Sequence, residues 1–354
     1  MKLHRQFLWS VPILAVLIAS CSVSSASVPK EFHPTGKYAI SPLFNFAGTF
    51  VNGVALVDTK TGWGFINKSG KYVIAPNLGL ASDFVQGIGL APAFKSGSLL
   101  WGYIDVKGKF QVSQKFRTAG NFSEGLAIAG NGKLYGFIDE SGKYVIPLQF
   151  DGADNFSGGF AAVRVGQKYG FVDTKGKYLA SPKFDGAGRF HDGLAAVEDG
   201  TKWGFIDVKG KYVIKPQFKY ISGASHCCDF AGGFADGLAA VSNNGTEWGY
   251  IDKTGKFVIK VQSRFGEDFI KGLAVVNNGK SAAFIDKKGT YLLRTHYKYA
   301  MPFVNGFARV GNGTKWGYID RKGKTVIKPQ FDTAGDFVEG LAAVAIGTKW
   351  GYIS

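Results

Sequence analysis

Short apolar runs alternate with glycine-containing turns along most of the chain. In the stretch 194–207, the run Leu-Ala-Ala-Val is followed by Asp199-Gly200 and then by Trp-Gly-Phe-Ile-Asp. Asp-Gly between two apolar runs is a strong hairpin signal, because a tight turn needs residues that accept positive φ. No segment keeps a helical period for more than about one turn. The pattern therefore predicts short antiparallel strands joined by tight turns.

The same pattern recurs with a nearly constant period. Its clearest marker is an aromatic residue followed by glycine, and most neighbouring markers are 34 positions apart. These aromatic residues are Trp63, Trp101, Tyr135, Tyr169, Trp203, Trp248, Trp316 and Trp350. A degraded copy carries Ala282 at the equivalent place. Such self-similarity is typical of repeat architectures, and here nine units fill residues 36–354.

Each unit is predicted to form a three-stranded antiparallel meander. The apolar run forms one strand, the aromatic-glycine segment the next, and a third strand follows a glycine turn at 207–211. Pro216 cannot donate to a central ladder and should end that third strand. One meander cannot bury both of its faces, so neighbouring units must stack. We expect the tryptophans in the resulting core, because they carry large apolar surfaces.

The predicted fold class is all-β, as a tandem-repeat array of nine three-stranded antiparallel meanders. Propeller rings usually have four to eight blades, so nine units favour an open, curved, solenoid-like array. A closed, propeller-like ring is the alternative. In that ring Tyr38-Ala39-Ile40 would pair with the last unit and complete its meander.

The repeated motifs resemble the WG-repeat family of bacterial proteins, also called KWG repeats. The resemblance rests on KWGFID at 202–207, KWGYID at 315–320 and KWGYIS at 349–354, together with the Gly-Leu-Ala-Ala-Val and Gly-Lys-Tyr-Val-Ile segments. It implies an all-β repeat protein, commonly associated with the cell envelope or exposed at the cell surface. It does not imply one defined activity. The segments 259–265 and 292–298 depart from the family pattern.

The first twenty residues have the pattern of a secretory signal. Lys2 and Arg5 precede an apolar run that is too short to span a membrane comfortably. The run ends in Ile-Ala-Ser-Cys, which resembles the lipobox of bacterial lipoproteins and implies lipidation of Cys21. An ordinary signal peptide, leaving Cys21 as a plain thiol, is the alternative. Residues 21–35 are rich in serine and proline and are interpreted as a flexible tether.

These features predict export to a bacterial cell envelope, with the chain held there by its lipid. Ser22 follows the cysteine, where aspartate would resemble an inner-membrane retention signal. In a Gram-negative host the expected location is therefore the outer membrane.

The charge balance points to a class of partner. The chain has 42 basic and 26 acidic residues, for a net charge of +16, and lysines recur at the predicted hairpin tips. If the units stack in register, these lysines line one rim and could bind an anionic polymer. Alternatively they are solvated tips that discourage edge-to-edge aggregation. The candidate binding residues are Lys175, Lys177, Lys209, Lys211, Lys322 and Lys324, together with Lys219 and Tyr220.

The sequence contains no catalytic or phosphate-binding motif. Aspartates that end the aromatic-glycine strands, among them Asp139 and Asp207, stand beside glycine turns and are interpreted as turn caps. We therefore expect no catalytic residue, no metal and no cofactor. We also expect no dedicated nucleic-acid binding, because no reading motif is present.

One insertion interrupts the regular spacing, at 219–233 in the sixth unit. It carries Cys227 and Cys228 beside His226, and long loops on regular scaffolds often carry function. The pair could form a disulfide, act as a redox switch, contribute to a metal site or staple the loop.

The predicted function is binding or scaffolding, with a protein or an anionic envelope polymer as the partner. The alternatives are an enzyme, redox site or metal site built on the insertion, or a purely structural spacer.

Overall fold

The computed structural model describes residues 32–222, 233–263 and 265–354. Within them every regular element is a β-strand. The predictions for the signal peptide, Cys21, Cys227 and Cys228 lie outside the described residues.

The strands form nine units of four, joined almost entirely in chain order. Units 1 and 2 share one sheet of seven strands, β2 (Phe46–Ala47), β3 (Val54–Thr59), β4 (Gly62–Asn67), β5 (Tyr72–Ala81), β6 (Leu90–Lys95), β7 (Trp101–Asp105) and β8 (Phe110–Phe116). The long strand β5 belongs to both units, because it pairs with β4 and with β6.

Units 3 to 9 each have their own four-stranded sheet. Units 3 to 5 comprise β9 (Thr118–Ser123), β10 (Leu126–Gly130), β11 (Tyr135–Ile138), β12 (Tyr144–Phe150), β13 (Gly152–Ala153), β14 (Phe160–Val165), β15 (Lys168–Asp173), β16 (Tyr178–Phe184), β17 (Gly186–His191), β18 (Leu194–Asp199), β19 (Lys202–Asp207) and β20 (Tyr212–Phe218). Units 6 to 8 comprise β21 (Tyr220–Ile221), β22 (Ala239–Ser242), β23 (Trp248–Ile251), β24 (Phe257–Ser263), β25 (Phe265–Gly266), β26 (Leu273–Asn277), β27 (Ala282–Asp286), β28 (Tyr291–Arg294), β29 (Tyr299–Ala300), β30 (Phe307–Gly311), β31 (Trp316–Asp320) and β32 (Thr325–Phe331). Unit 9 comprises β33 (Thr333–Ala334), β34 (Ala342–Ile346), β35 (Lys349–Ile353) and, from the start of the chain, β1 (Tyr38–Phe44).

The all-β tandem-repeat prediction is confirmed, and each predicted meander gains one strand. The three predicted strands appear in unit 5 as β18, β19 and β20, and β17 is added before them. In most units this first strand is only two residues long, as in β13 and β33. The connector that was predicted to join neighbouring units therefore contributes a strand to the second of them.

The third predicted strand continues past its proline through a bulge. Trp203 pairs with Phe218 and Phe205 pairs with Ile214, so β20 has two more residues than β19 between these pairs. Pro216 lies inside the bulge, where it has no ladder bond to donate. The bulge crosses close to Gly204, where an added Cβ would lie 2.5 Å from the carbonyl oxygen of Ile214. This crowding explains why glycine follows the aromatic residue in eight of the nine units; the degraded unit has Ala282 and Ala283 instead.

The core lies between neighbouring sheets. One cluster joins Phe205 and Leu194 of unit 5 to Ile221, Phe234 and Val241 of unit 6. Ile206 points the other way, into the cluster shared with unit 4. Both faces of an inner strand are therefore buried, as expected for units that contact mainly their neighbours.

The tryptophans contribute less to the core than the sequence suggested. Trp203 is 7% exposed, but the other aromatic residues at its position are only half-buried, since they lie beside the turn between the second and third strands. The fully enclosed position is two residues later. Its occupants are Phe65, Tyr103, Phe137, Phe171, Phe205, Tyr250, Phe284, Tyr318 and Tyr352.

Where this enclosed residue is a tyrosine, its hydroxyl links two units. Tyr103 Oη donates to the carbonyl oxygen of Gly120 at 2.8 Å, and Tyr318 Oη donates to that of Gly335 at the same distance. Tyr352 makes the equivalent bond to Gly48, from the last unit to the first.

The two ends of the chain meet in unit 9. Strand β1 takes the place of the fourth strand and pairs antiparallel with β35, with Tyr38 opposite Ile353 and Phe44 opposite Trp350. Beyond the strands, the Ser354 carbonyl accepts the N–H of Thr35 at 2.7 Å and the N–H of Gly36 at 3.1 Å. Ser354 and Thr35 thus rebuild, without a covalent link, the hairpin turn that every other unit forms within one chain segment.

These contacts produce the closed ring that the sequence left as the alternative. Phe44 and Tyr352 of unit 9 pack in one cluster with Phe50 and Val57 of unit 1. Each sheet remains open and none closes into a barrel. Closure follows from β1 because it supplies the fourth strand of the last unit and places Ile40 and Phe44 in the core between units 9 and 1.

Candidate functional site

The nine hairpins between third and fourth strands lie on one face of the ring, here called the tip face. In each unit the hairpin glycine packs on the fourth strand of the preceding unit. The contacting pairs are Gly36–Ile327, Gly70–Ile40, Gly108–Ile74, Gly142–Val112, Gly176–Ile146, Gly210–Leu179, Gly255–Ile214, Gly289–Ile259 and Gly323–Leu293. Eight of the glycines meet an aliphatic side chain and Gly210 meets the Leu179 backbone, always on the fourth strand of the preceding unit, so the hairpins share one side.

An aspartate shapes nearly every tip. Asp207 Oδ1 accepts the backbone N–H of Lys209 and of Lys211, both at 2.9 Å. The bonds from Lys211 and then Lys209 hold the pKa of the Asp207 carboxyl below its ordinary value. Asp139 and Asp320 cap their turns in the same way. The carboxylates are thus engaged with backbone donors, as expected from their place beside glycine turns.

The six tip lysines predicted from sequence are all exposed on this face. Lys175, Lys209 and Lys322 occupy the same position in units 4, 5 and 8, and Lys177, Lys211 and Lys324 follow two residues later. The other basic residues of the nine tips are Lys37, Lys68, Lys71, Lys107, Lys109, Lys143, Lys253, Lys256, Lys287, Lys288 and Arg321. The tip face therefore carries a ring of positive charge.

Lys219 and Tyr220 do not belong to this ring of charge. They lie where β20 leads into β21, at the opposite end of the strands. Lys219 Nζ lies 5.5 Å from the centre of the Tyr220 ring. The structure therefore separates these two candidates from the other six.

The turns between first and second strands also lie on the tip face, and hydrogen bonds between them connect one unit to the next. Glu124 accepts hydrogen bonds from the N–H groups of Gly158 at 2.8 Å and Gly159 at 2.9 Å. Glu339 of unit 9 makes the equivalent bond to Gly53 of unit 1, at 3.1 Å. These acidic side chains keep their charge, and Glu339 also lies 2.9 Å from Nζ of the tip residue Lys68. They therefore offset part of the basic charge at the tips.

The first strands form the inner edge of the ring. Residues 186–190 of β17 include no exposed position, whereas β20 exposes several side chains along its length. Charged side chains from neighbouring units meet at this inner edge. Arg189 Nη2 lies 2.6 Å from Asp154 Oδ1, and Arg309 Nε lies 2.7 Å from Asp336 Oδ1.

Two inner-edge carboxylates have no such partner among the described residues. No hydrogen bond or ion pair reaches Asp83 or Asp268 from the described residues, and Oδ1 of Asp268 is buried without a partner. Burial raises the pKa of Asp83 to about 7, although its side chain keeps partial solvent exposure. Burial, and then the nearby charge of Glu267, raises the pKa of Asp268 to about 7. The sequence analysis missed both.

Asp83 and Asp268 should make the protein more stable in mild acid. A carboxyl with a raised folded pKa stabilises the fold when protonated, and this contribution is lost as pH rises from about 4 to about 7. We expect Asp83→Asn and Asp268→Asn together to remove about 1–3 kcal/mol of this dependence, an amount reduced by the partial exposure of Asp83. The measurement is urea unfolding at a series of pH values between 4 and 8.

His191 changes the pH dependence of stability in the opposite direction, so the experiment needs a control for it. Burial, and then the charge of Arg189, lowers the pKa of His191, so its contribution falls as pH decreases. Both proteins should therefore carry His191→Gln. If Asp83→Asn and Asp268→Asn together leave the pH dependence of stability unchanged, the raised pKa values of these two aspartates are contradicted.

The described residues provide no test of the redox or metal site that the sequence analysis placed on the insertion. They include no group of three or more histidine, cysteine, aspartate or glutamate side chains placed to hold a metal ion. They also include no helix long and apolar enough to cross a membrane. Of the insertion, residues 219–222 and 233 are described, and its cysteine pair lies outside them.

Comparison with known proteins agrees with this architecture. A family model described as "WG containing repeat" matches at 32–59, 63–97, 101–135, 135–169, 169–203, 203–225, 248–280, 283–316 and 316–350. No curated protein matches the chain.

Solved structures resemble the chain in fold at low sequence identity. The crystal structure of a eukaryotic initiation factor aligns with a TM-score of 0.58 and 11% identity, covering 83% of this chain and 89% of that one. The designed Ika8 protein aligns with a TM-score of 0.45 and 8% identity, covering 91% and 100%. BamB from Moraxella catarrhalis aligns with a TM-score of 0.44 and 11% identity, covering 89% and 99%. At these identities the likeness concerns fold alone.

Proposed function

This chain belongs to the WG-repeat family, and we propose that it is a non-catalytic binding module of a bacterial cell envelope. Its binding surface is the tip face, and its ligand is an anionic component of that envelope. Cys21, lipidated and left as the first residue after cleavage, anchors the module to the membrane.

The observation that carries the proposal is the placement of the basic residues. The tip lysines come from different units but face one side, and the neighbouring carboxylates are bound to backbone N–H groups. A surface of one charge raises the local concentration of a ligand of opposite charge. Repeated weak contacts along one extended polyanion then add to a useful affinity, since each later contact is intramolecular.

The display of lysines favours a charged ligand over a sugar stacked on the tryptophans. The aromatic residues at the tryptophan position are half-buried or buried between sheets, and Trp203 is 7% exposed. Tyrosines that begin fourth strands, such as Tyr178 and Tyr212, are 39% and 37% exposed beside the tip lysines, but the lysines carry the net charge of this face. A phosphate-rich or carboxylate-rich envelope polymer fits that display.

Charge reversal on the tip face should weaken this binding strongly. We expect Lys175→Glu, Lys209→Glu and Lys322→Glu together to reduce binding to isolated cell-envelope fractions by at least about tenfold at low salt. Binding of the unchanged protein should itself fall as salt is added, because the contacts are solvent-exposed. The measurement is sedimentation of the chain from Ser22 onward with envelope fractions across a salt series.

The matched control reverses three exposed lysines on the other face. Lys133, Lys202 and Lys280 lie at the turns between second and third strands, and Lys133→Glu, Lys202→Glu and Lys280→Glu change the net charge by the same amount. These changes should leave most of the binding intact. Equal losses in the two triple variants would mean that net charge alone matters. Salt-insensitive binding would favour a protein partner over an anionic polymer, and absence of binding would favour a spacer role.

A further inference from the structure

The chain enters the ring from the tip face. The Phe32 ring packs on Phe307 and Phe337, with ring centres 5.9 and 5.5 Å apart. Phe307 directly follows a turn between first and second strands, and Phe32 is also the neighbour that a Cβ at Gly340, in the next such turn, would meet. These turns lie on the tip face, so Phe32, the first described residue, lies on that side.

The next residues stay on the same face. Thr35 and Gly36 bind Ser354 and rebuild the hairpin tip of unit 9. Lys37 then takes the position that Lys211 has in unit 5, immediately before the fourth strand. The attachment point of the tether is thus part of the ring of basic tips.

Phe32 and Thr35 of the predicted tether are held by the ring, and the part of the tether that precedes them is short compared with the ring. Cys21 precedes Phe32 by eleven positions, and at 3.3–3.6 Å per residue they span at most about 40 Å. A seven-residue strand is roughly 23 Å long and four paired strands add about 14 Å of width. Reaching the opposite face would consume nearly the whole tether, whereas the tip face can meet the membrane with slack.

We propose that the tip face lies against the anionic headgroup layer of the membrane in which Cys21 is anchored. This rests on the proposed function and specifies its ligand: lipid phosphates of that bilayer. Lipid chains and a basic surface are two membrane signals that reinforce each other. Basic residues near an anionic membrane each contribute about 1 kcal/mol, so the arrangement would orient the ring as well as hold it.

The test compares lysine reactivity on the two faces of the anchored protein. The full chain is expressed in a bacterial host, and its processed form is reconstituted into phosphatidylcholine vesicles with or without phosphatidylglycerol. Brief acetylation and mass spectrometry then report each lysine. We expect Lys175, Lys209 and Lys322 to react several-fold more slowly on the anionic vesicles, and to recover in high salt.

Lysines of the opposite face provide the internal control. Lys133, Lys202 and Lys280 should react equally on both kinds of vesicle. Equal protection of both faces, or protection of these three alone, would overturn the inference. A processed chain that does not enter vesicles would also overturn it, because the anchor would be missing.

A soluble polyanion separates this inference from the proposed function. Dextran sulfate is added to the chain from Ser22 onward, and the same lysines are measured. Protection of the tip lysines by dextran sulfate but not by anionic vesicles would refute the membrane orientation and leave the polyanion-binding function standing. Protection by neither would refute both.

Discussion

Phe44→Asp is expected to open the ring at its junction and to cost at least about 4 kcal/mol of stability, because it buries a charge without a partner. Phe44 is 4% exposed and packs in the cluster that joins unit 9 to unit 1. Loss of this contact also weakens the pairing of β1 with β35, which provides the fourth strand of the last sheet. The measurement is urea unfolding followed by tryptophan fluorescence.

The adjacent residue provides the control. Leu43 lies on the same strand but is 70% exposed, so Leu43→Asp should change stability by no more than about 0.5 kcal/mol. Small-angle X-ray scattering adds a second readout, since an opened ring has a larger radius of gyration than a closed one. Similar behaviour of the two variants would show that β1 does not close the ring.

Phe205→Ala should cost about 3–5 kcal/mol, the range for removing a fully buried ring from a packed core. Phe205 has no exposed surface and lies in the cluster between units 5 and 6, 4.9 Å from the Phe234 ring centre. Thermal and urea unfolding would measure the loss. Phe205 occupies the enclosed position of its unit, two residues after the repeat tryptophan.

Trp316→Ala is the comparison variant. Trp316 is the larger side chain, but it is half-buried and packs at the margin of its cluster. We therefore expect a smaller loss, of about 1–2 kcal/mol, in proportion to the apolar area removed from contact. A larger loss for Trp316→Ala than for Phe205→Ala would restore the tryptophans as the centre of the core.

Features set by local sequence were predictable. The repeat period, the hairpins and the aspartate caps each depend on residues a few positions apart, as in the turn from Asp207 to Lys211. The short first strands were missed because a pair such as Gly152 and Ala153 has too few residues to show alternation. The bulge at Pro216 was missed because the strand continues through it, and only the ladder of backbone hydrogen bonds is interrupted.

Features set by contacts between distant units were harder to predict. The number of units favoured an open array, but closure depends on pairing between residues at opposite ends of the sequence, such as Phe44 and Trp350. The tip lysines were predictable as a group because they recur in every unit. The inner-edge charges were not, because the position before the connector phenylalanine is Asp83 in one unit and Arg189 in another.

The near-identity of the nine junctions has a consequence for how such a protein changes over evolutionary time. Nearly every hairpin glycine packs on an aliphatic side chain of the preceding unit, and the contact between Gly36 and Ile327 repeats the one between Gly176 and Ile146. Duplication or deletion of one whole internal unit in the gene would leave every remaining junction with its usual partners. The ring would adjust through small changes in angle at each junction, and its diameter would change with the copy number. Unequal recombination could thus resize the ring in single steps without redesigning its closure.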